Sequence, residues 1–307
     1  MTITVRPFSP DDLDALLDVY NQARPIEVAR LTAERFWAWF GDPALEPARD
    51  IRVAVDAEGL VGMVAAFPWP ERVAEGFVFL VGPSILPTHQ GQGIGAQLLT
   101  VLLAELSGRF PGKQALTRVA ADNQLAREFL TGRAGFVLDR QFWRMAHDAV
   151  GQASRVATPE GFELAYLGPD EDHAEAIATY RAIIGQPHPA MHLLDEAELR
   201  AWHALGAYAS TSFLVARRPD GAIVGLCFQT LPPGTTDAVL QFLGVLPTLR
   251  GRGLASALLS RALADAHAGG RTRVRLEVSG TEAGVLGLYT RAGFHAEGSD
   301  AFYSRQL

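Results

Sequence analysis

Hydrophobic and polar positions in the first half of the chain alternate between two periods. A helical spacing of apolar residues over Asp11–Asn21 and Thr32–Phe40 predicts two helices. Apolar runs at Ile51–Val55 and Leu60–Phe67, parted by the turn-like Asp56–Gly59, predict a hairpin, and Phe77–Ile85 reads as a further strand. A long helix is expected from Gly93 to Leu106, then a strand near Gln114–Val119, a helix from Asn123 to about Leu130, and a closing strand from Phe136 to Met145. The second half reads the same way. It has helices at Asp170–Ile184 and Asp195–Leu205, a hairpin of Phe213–Ala216 with Ile223–Gln229, and a strand at Ala238–Val245. Next come a long helix Leu254–Ala268, a strand Arg273–Val278, a helix ending near Arg291 and a closing strand Phe294–Tyr303.

The two halves also share residues. Ser84-Ile85-Leu86-Pro87-Thr88-His89-Gln90-Gly91-Gln92-Gly93-Ile94-Gly95 runs parallel to Gly244-Val245-Leu246-Pro247-Thr248-Leu249-Arg250-Gly251-Arg252-Gly253-Leu254-Ala255 at an offset of 250 − 90 = 160. Arg133-Ala134-Gly135-Phe136 returns as Arg291-Ala292-Gly293-Phe294 at an offset of 291 − 133 = 158, so the repeat covers a whole domain. That period is too long for a solenoid unit. Two copies of one α/β fold are expected, residues 1–148 and 160–307, joined by a linker over 149–159.

Each repeated segment leaves a strand, crosses glycines and enters a long helix at once. Gly91, Gly93 and Gly95 have no side chains, so a ligand can approach the backbone and the chain can take conformations closed to other residues. Amides of such a turn, added to the positive end of the helix dipole, make a site for an anion such as a pyrophosphate. Arg250 and Arg252 add charge in the second copy, where Gln90 and Gln92 offer only dipoles in the first. One such turn, taken alone, is equally a tight connection with no ligand. The glycine spacing differs from the dinucleotide fingerprint, and no lysine followed by Ser or Thr marks a P-loop.

These residues resemble the GNAT superfamily of acyl-CoA-dependent N-acetyltransferases. Its signature of Gln or Arg, two residues, Gly, one residue, and Gly or Ala is matched by Gln90…Gly93…Gly95 and by Arg250…Gly253…Ala255. The resemblance spans nearly the whole chain twice and implies a tandem arrangement. Each fold would be a mixed, bent central sheet flanked by helices, with a V-shaped splay between strands 4 and 5. It implies acetyl-CoA as co-substrate, its pantetheine arm pairing with backbone around Ile85 or around Leu243, Gly244 and Val245. The pyrophosphate would rest on amides of Gly91, Gln92, Gly93, Ile94, Gly95 and Ala96, or of Gly251, Arg252, Gly253, Leu254, Ala255 and Ser256. It further implies a tyrosine on the helix before the late Gly-Phe as the acid for the departing thiolate. Tyr289 occupies that place, four residues before Gly293, whereas the first half has an apparent extra residue and offers only Leu130 or Thr131. The asparagine that often starts this helix in the family is Asn123 in the first half, also readable as a plain helix cap; Glu282 stands there in the second.

A thioester is already activated, so a neutral amine held in line can attack it directly. The expected activity is acetyl transfer to a primary amine of a small molecule or peptide, with chemistry in the second copy; a non-catalytic acyl-CoA or small-ligand binding protein is the alternative. Neither fourth strand carries a carboxylate, leaving Glu277 on the following strand as the nearest candidate base. His188 and His192 bring two imidazoles close in sequence, but Pro189 breaks a regular helix between them and no third ligand is apparent, so no metal is expected. The aromatic run Phe36-Trp37-Ala38-Trp39-Phe40 reads as core, with a pocket lining as the other option.

Composition narrows the partners. The chain carries 27 basic and 34 acidic residues, a net charge of −7, and no basic cluster, so neither nucleic acid nor an anionic membrane is an expected partner. No apolar run of membrane-spanning length or signal-peptide character occurs, and the single Cys227 allows no internal disulfide, so a cytoplasmic location is expected. Cys227 itself reads as a buried small hydrophobe.

Overall fold

The computed structural model describes residues 2–23, 30–168, 173–185, 194–197, 199, 213–231, 235–280 and 283–307. They form two compact units, Met1–Arg140 with Ala301–Leu307, and Gln141–Asp300.

The first unit contains β1 (Thr4–Pro7), α1 (Leu13–Gln22), α2 (Ala33–Trp39), α3 (Pro47–Asp50), β2 (Ile51–Val55) and β3 (Leu60–Phe67). It continues with α4 (Pro70–Glu75), β4 (Phe77–Ile85), α5 (Ile94–Arg109), β5 (Gln114–Ala120) and α6 (Gln124–Gly132). β1 to β4 pair antiparallel in chain order, and β4 to β5 is the parallel step. The strand beside β5 is the chain's last, so residues 301–307 complete this unit. Leu98, Leu102 and Leu106 repeat at helical spacing along α5 and are fully buried against Val64, Val78 and Leu80 of the sheet. The face toward α1 and α2 buries Phe36 with Phe8, Phe40 and Phe67, while Trp37 is 44% exposed; the aromatic run is chiefly core.

The second unit opens with the part of β6 (Val137–His147) that follows Arg140, then β7 (Glu163–Tyr166), α7 (His173–Ile184), β8 (Phe213–Arg217), β9 (Ile223–Thr230) and β10 (Asp237–Val245). α8 (Leu254–Ala268), β11 (Arg273–Ser279), α9 (Ala283–Arg291) and β12 (His295–Gln306) follow. β6 runs antiparallel to β11 from Phe142↔Ser279 to His147↔Val274. Each compact unit is thus closed by the strand that sequence places in the other copy, which the reading of consecutive halves did not anticipate. β1 and β7, four-residue edge strands, also went unforeseen. The helix expected over Asp195–Leu205 lies largely outside the described residues.

Candidate active site

In both units the parallel ladder is short. It runs from Phe77↔Gln114 to Leu80↔Thr117 in the first and from Asp237↔Arg273 to Leu240↔Leu276 in the second, while β4 continues to Ile85 and β10 to Val245. Beyond the last pair no further parallel pairing is formed, and the continuing strand keeps only its antiparallel neighbour. A register shift sits at the same place in each, between Met63 and Ala65 opposite β4 and between Leu240 and Phe242 on β10.

The glycine turns that follow have almost the same backbone. Gly91 and Gly251 have φ of 77° and 76°, and Gly93 and Gly253, the residues preceding α5 and α8, have φ of 82° and 81°. These left-handed conformations require glycine. No side chain caps either helix, so the first-turn amides are left for another acceptor. A Cβ built at Gly91, Gly93 or Gly251 meets nothing within 4 Å, and one at Gly253 meets only Pro159 at 3.8 Å. An open, amide-lined concavity at a helix amino terminus fits a pyrophosphate in size and charge.

The signature side chains turn away from these concavities. Gln90 Nε2 donates to the Ile85 carbonyl at 3.2 Å, Gln92 Nε2 to that of Thr88 at 3.4 Å, and Arg250 Nη2 to that of Ile183 at 3.3 Å. Arg252 is exposed on the turn, and no hydrogen bond or ion pair is found for it among the described residues. Ile94 and Leu254 are buried anchors of the helices, with Ala96 and Ser256 half-buried beside them.

Tyr289 is buried in the core of the second unit. It shares one apolar cluster with Leu243, Val245, Leu254 and Ala255 and packs edge-on to Phe294 at 5.6 Å. Only 6% of it is exposed, and burial, with Cys227 nearby, pushes its phenol well above the ordinary value, so it stays protonated. Cys227 lies opposite Leu243 on β9 and is itself buried, its thiol pushed up by desolvation and by Asp265, which keeps it an unreactive thiol. Gly244 sits under Ile183, whose Cγ2 would stand 2.5 Å from a Cβ there.

The first cleft differs at three points. Leu130 takes the place of Tyr289: the Phe136 amide closes α6 on the Leu130 carbonyl at 2.9 Å, as that of Phe294 closes α9 on Tyr289 at 3.0 Å, and Thr131 is exposed. Asn123 caps α6, accepting from the Ala126 amide at 3.1 Å. Pro83 stands where the second copy has Leu243, so no N–H exists there; its ring packs onto Gly95, with Cγ 3.3 Å from a Cβ position there. The proline was visible in the repeat at the 160-residue offset (243 − 83) and is the signal that sequence reasoning passed over. Glu277 points away from the face of Leu276, Val278 and Tyr289 and lies across from Arg144 on β6. Glu282, His188 and His192 lie outside the described residues, among which no group of three metal-ligating side chains occurs.

A splayed parallel strand pair followed by an uncapped glycine turn into a long helix occurs once in each unit and defines a tandem α/β fold with two anion-binding turns. The acetyltransferase (GNAT) family model matches residues 13–136 and 183–294, and the chain belongs to that family. It is similar to the mycothiol acetyltransferase of Streptomyces coelicolor, 25% identical over 301 residues that cover 98% of this chain and 94% of that protein. It is likewise similar to the mycothiol acetyltransferase of Clavibacter sepedonicus, 30% identical over 71% of this chain and 70% of the relative. Among solved structures, a GCN5-related N-acetyltransferase from Sphaerobacter thermophilus superposes with a TM-score of 0.77 at 19% identity, covering 99% of this chain and 95% of its own. A tandem GNAT protein from the clavulanic acid biosynthesis pathway gives 0.64 at 15%, covering 99% and 98%; at such identities these two speak for the fold. The family match and the named relatives make this an N-acetyltransferase, and the family uses acetyl-CoA as co-substrate. No described helix is long and apolar enough to cross a membrane.

Proposed function

We propose that the second copy transfers acetyl from acetyl-CoA to a primary amine of a small molecule by direct attack, and that the first copy does not turn over. The observation that carries this reading is the pair of replacements between the copies, Tyr289 and the Leu243 amide in the second against Leu130 and Pro83 in the first, with Tyr289 buried in the core that also includes Leu243. In the second cleft the Leu243 amide is the donor suited to the thioester carbonyl, since a fixed backbone dipole aimed at developing charge costs no reorganisation. The Tyr289 hydroxyl donates a proton to the departing sulfur, and its buried surroundings exclude the water that would compete. The turn Gly251–Gly253 and the first amides of α8 hold the pyrophosphate, with Arg252 adding charge. Resemblance to proteins named mycothiol acetyltransferases over almost the whole chain supports a small acceptor of the mycothiol type over a protein substrate.

The test is thiol release from acetyl-CoA with a panel of small amines. Tyr289→Phe should lower kcat by about 10²- to 10⁴-fold while leaving coenzyme A affinity within about twofold. Full turnover in that variant would remove Tyr289 from the mechanism.

A further inference from the structure

The end of β10 presents two different faces. The Leu246 amide donates to the Val224 carbonyl of β9 at 2.9 Å, and Gly244 and Phe242 precede it in unbroken register with Leu226 and Phe228. Their amides therefore face β9, while those of Leu243 and Val245 face the side on which the pairing with β11 has ended. Side chains alternate too: Leu243 and Val245 join the core around α8, and Phe242 packs with α7. The α7 face is crowded. A Cβ on Gly244 would stand 2.5 Å from Ile183 Cγ2 and 2.9 Å from Phe242 Cζ. Phe242 lies edge-on to Tyr180, with ring centres 4.7 Å apart, and 6.0 Å from Phe228. Tyr180 and Ile183 are buried, and Arg250 Nη2 holds the Ile183 carbonyl at 3.3 Å, so this wall has little room to retreat. The first copy is built otherwise. At an offset of 160 it has Ala23 for Ile183 (183 − 23), Gly82 for Phe242 (242 − 82) and Ser84 for Gly244 (244 − 84), with Tyr20 in the place of Tyr180.

Resting on the reaction proposed above, we infer that Ile183 and Phe242 set the length of the acyl group that the second copy accepts. An arm whose pyrophosphate lies at Gly251–Gly253 comes from the α8 side, and its thioester carbonyl accepts from the Leu243 amide where β11 has left β10. The chain beyond that carbonyl runs onto the opposite face, where Phe242, Gly244 and Ile183 meet. An acetyl methyl ends short of this wall. Each further methylene has to displace a side chain packed against Tyr180 or Gly244, and a close-packed interior resists such overfilling. With Ala23 and Gly82 in the corresponding places, the first copy has two of the three wall side chains removed, so the restriction belongs to the second copy alone.

The experiment is thiol release by the full chain from acetyl-, propionyl-, butyryl- and hexanoyl-CoA, with the small amine that turns over fastest with acetyl-CoA. Wild type should prefer acetyl- over butyryl-CoA by roughly 10²-fold or more in kcat/KM, since one misfitting methylene is worth about 10- to 200-fold. Ile183→Ala should bring butyryl-CoA to within about fivefold of acetyl-CoA, whereas Ile183→Met, which conserves volume, should keep the wild-type ratio. Phe242→Leu, at a half-buried site, gives an independent reading and should relax the ratio by about tenfold. Affinity for coenzyme A, which carries no acyl group, should stay within about twofold of wild type in each variant, and matched thermal melts guard against unfolding. A wild type that uses butyryl- and hexanoyl-CoA as well as acetyl-CoA, or an Ile183→Ala variant that loses activity on all four in equal proportion, would overturn the length restriction and leave the reaction standing. No release with any amine and any acyl-CoA would overturn the reaction and the restriction with it.

Discussion

Removing residues 301–307 should unfold the first unit, although these residues end the second sequence repeat. Ala301, Phe302 and Tyr303 are 3%, 6% and 2% exposed, and Tyr303 and Ala301 sit in the same cluster as Leu98, Leu102 and Phe136. The Tyr303 hydroxyl accepts from Arg127 Nε at 3.1 Å, the Leu307 amide donates to the Lys113 carbonyl at 2.8 Å, and Phe302 packs on Phe79 with ring centres 6.3 Å apart. Emptying a buried aromatic site costs about 3–5 kcal/mol, so losing two costs roughly 6–10 kcal/mol before the ladder beside β5 is counted. Domains of this size have about 5–15 kcal/mol in total. Hydrogen exchange on the chain shortened to 1–300 should therefore show lost protection in β2, β3, β4 and β5, with β9, β10 and β11 still protected. Tyr303→Ala should show the same pattern at about half the size. Protection lost instead in β9–β11 would refute the assignment of the last strand to the first unit.

The phenol of Tyr289 is raised by burial, and a raised value keeps the proton on as pH climbs past the ordinary 10.0, so the acid role proposed for it would be available at neutral pH and through the alkaline range. The ratio of wild-type to Tyr289→Phe turnover should then stay flat from about pH 7 to about pH 10; a ratio that collapses within that window contradicts the buried acid. Gly293 combines φ of 97° with a His147 Nε2 only 2.8 Å from a Cβ position, so Gly293→Ala should destabilise the second unit by roughly 1–3 kcal/mol in urea titration, well beyond Gly59→Ala, whose Cβ position is empty. Asp50 is fully buried and accepts from Arg109 Nη1 at 2.8 Å and from the Glu46 amide at 2.8 Å; Asp50→Ala strands these partners and should cost the first unit about 3–5 kcal/mol by the same measurement, a loss under about 1 kcal/mol disproving its role as an anchor.

The repeat at 160 residues gave two glycine turns, and their φ angles agree within 1°, so the backbone of the candidate site was legible from glycine spacing alone. What period and propensity express is local, and the long helices and the hairpins were local signals, whereas the splay was implied only by the family resemblance. Which unit receives a closing strand is not. Val137–His147 and His295–Gln306 have similar patterning, and nothing in either segment encodes whether its neighbour is β5 or β11. The linker's course was equally hidden, since it depends on one serine on α8 meeting two linker backbone groups. The aromatic run and Cys227 were read correctly as core because large apolar side chains and an uncharged thiol gain from burial wherever the fold leads them.

Some of the differences between the copies bear directly on the proposed chemistry. The turns are kept almost atom for atom in backbone, and so are the four-pair ladders ending at Leu80 and Leu240. Among the differing positions are Pro83 against Leu243, Leu130 against Tyr289 and Ala96 against Ser256, on three separate elements. Leu130 and Tyr289 are both buried helix residues whose carbonyls accept from the amide of the phenylalanine just after the late glycine. What changes in each case is a polar hydrogen, an amide at Leu243, a phenol at Tyr289 and a hydroxyl at Ser256, each present in the second copy and missing from the first. Fold maintenance has no use for that correlated loss. On the proposed mechanism the first copy is retained for its sheet and the second for donors aimed at a carbonyl and a sulfur, and restoring one donor alone, as in Leu130→Tyr, should leave the first copy inactive because Pro83 still lacks its amide hydrogen.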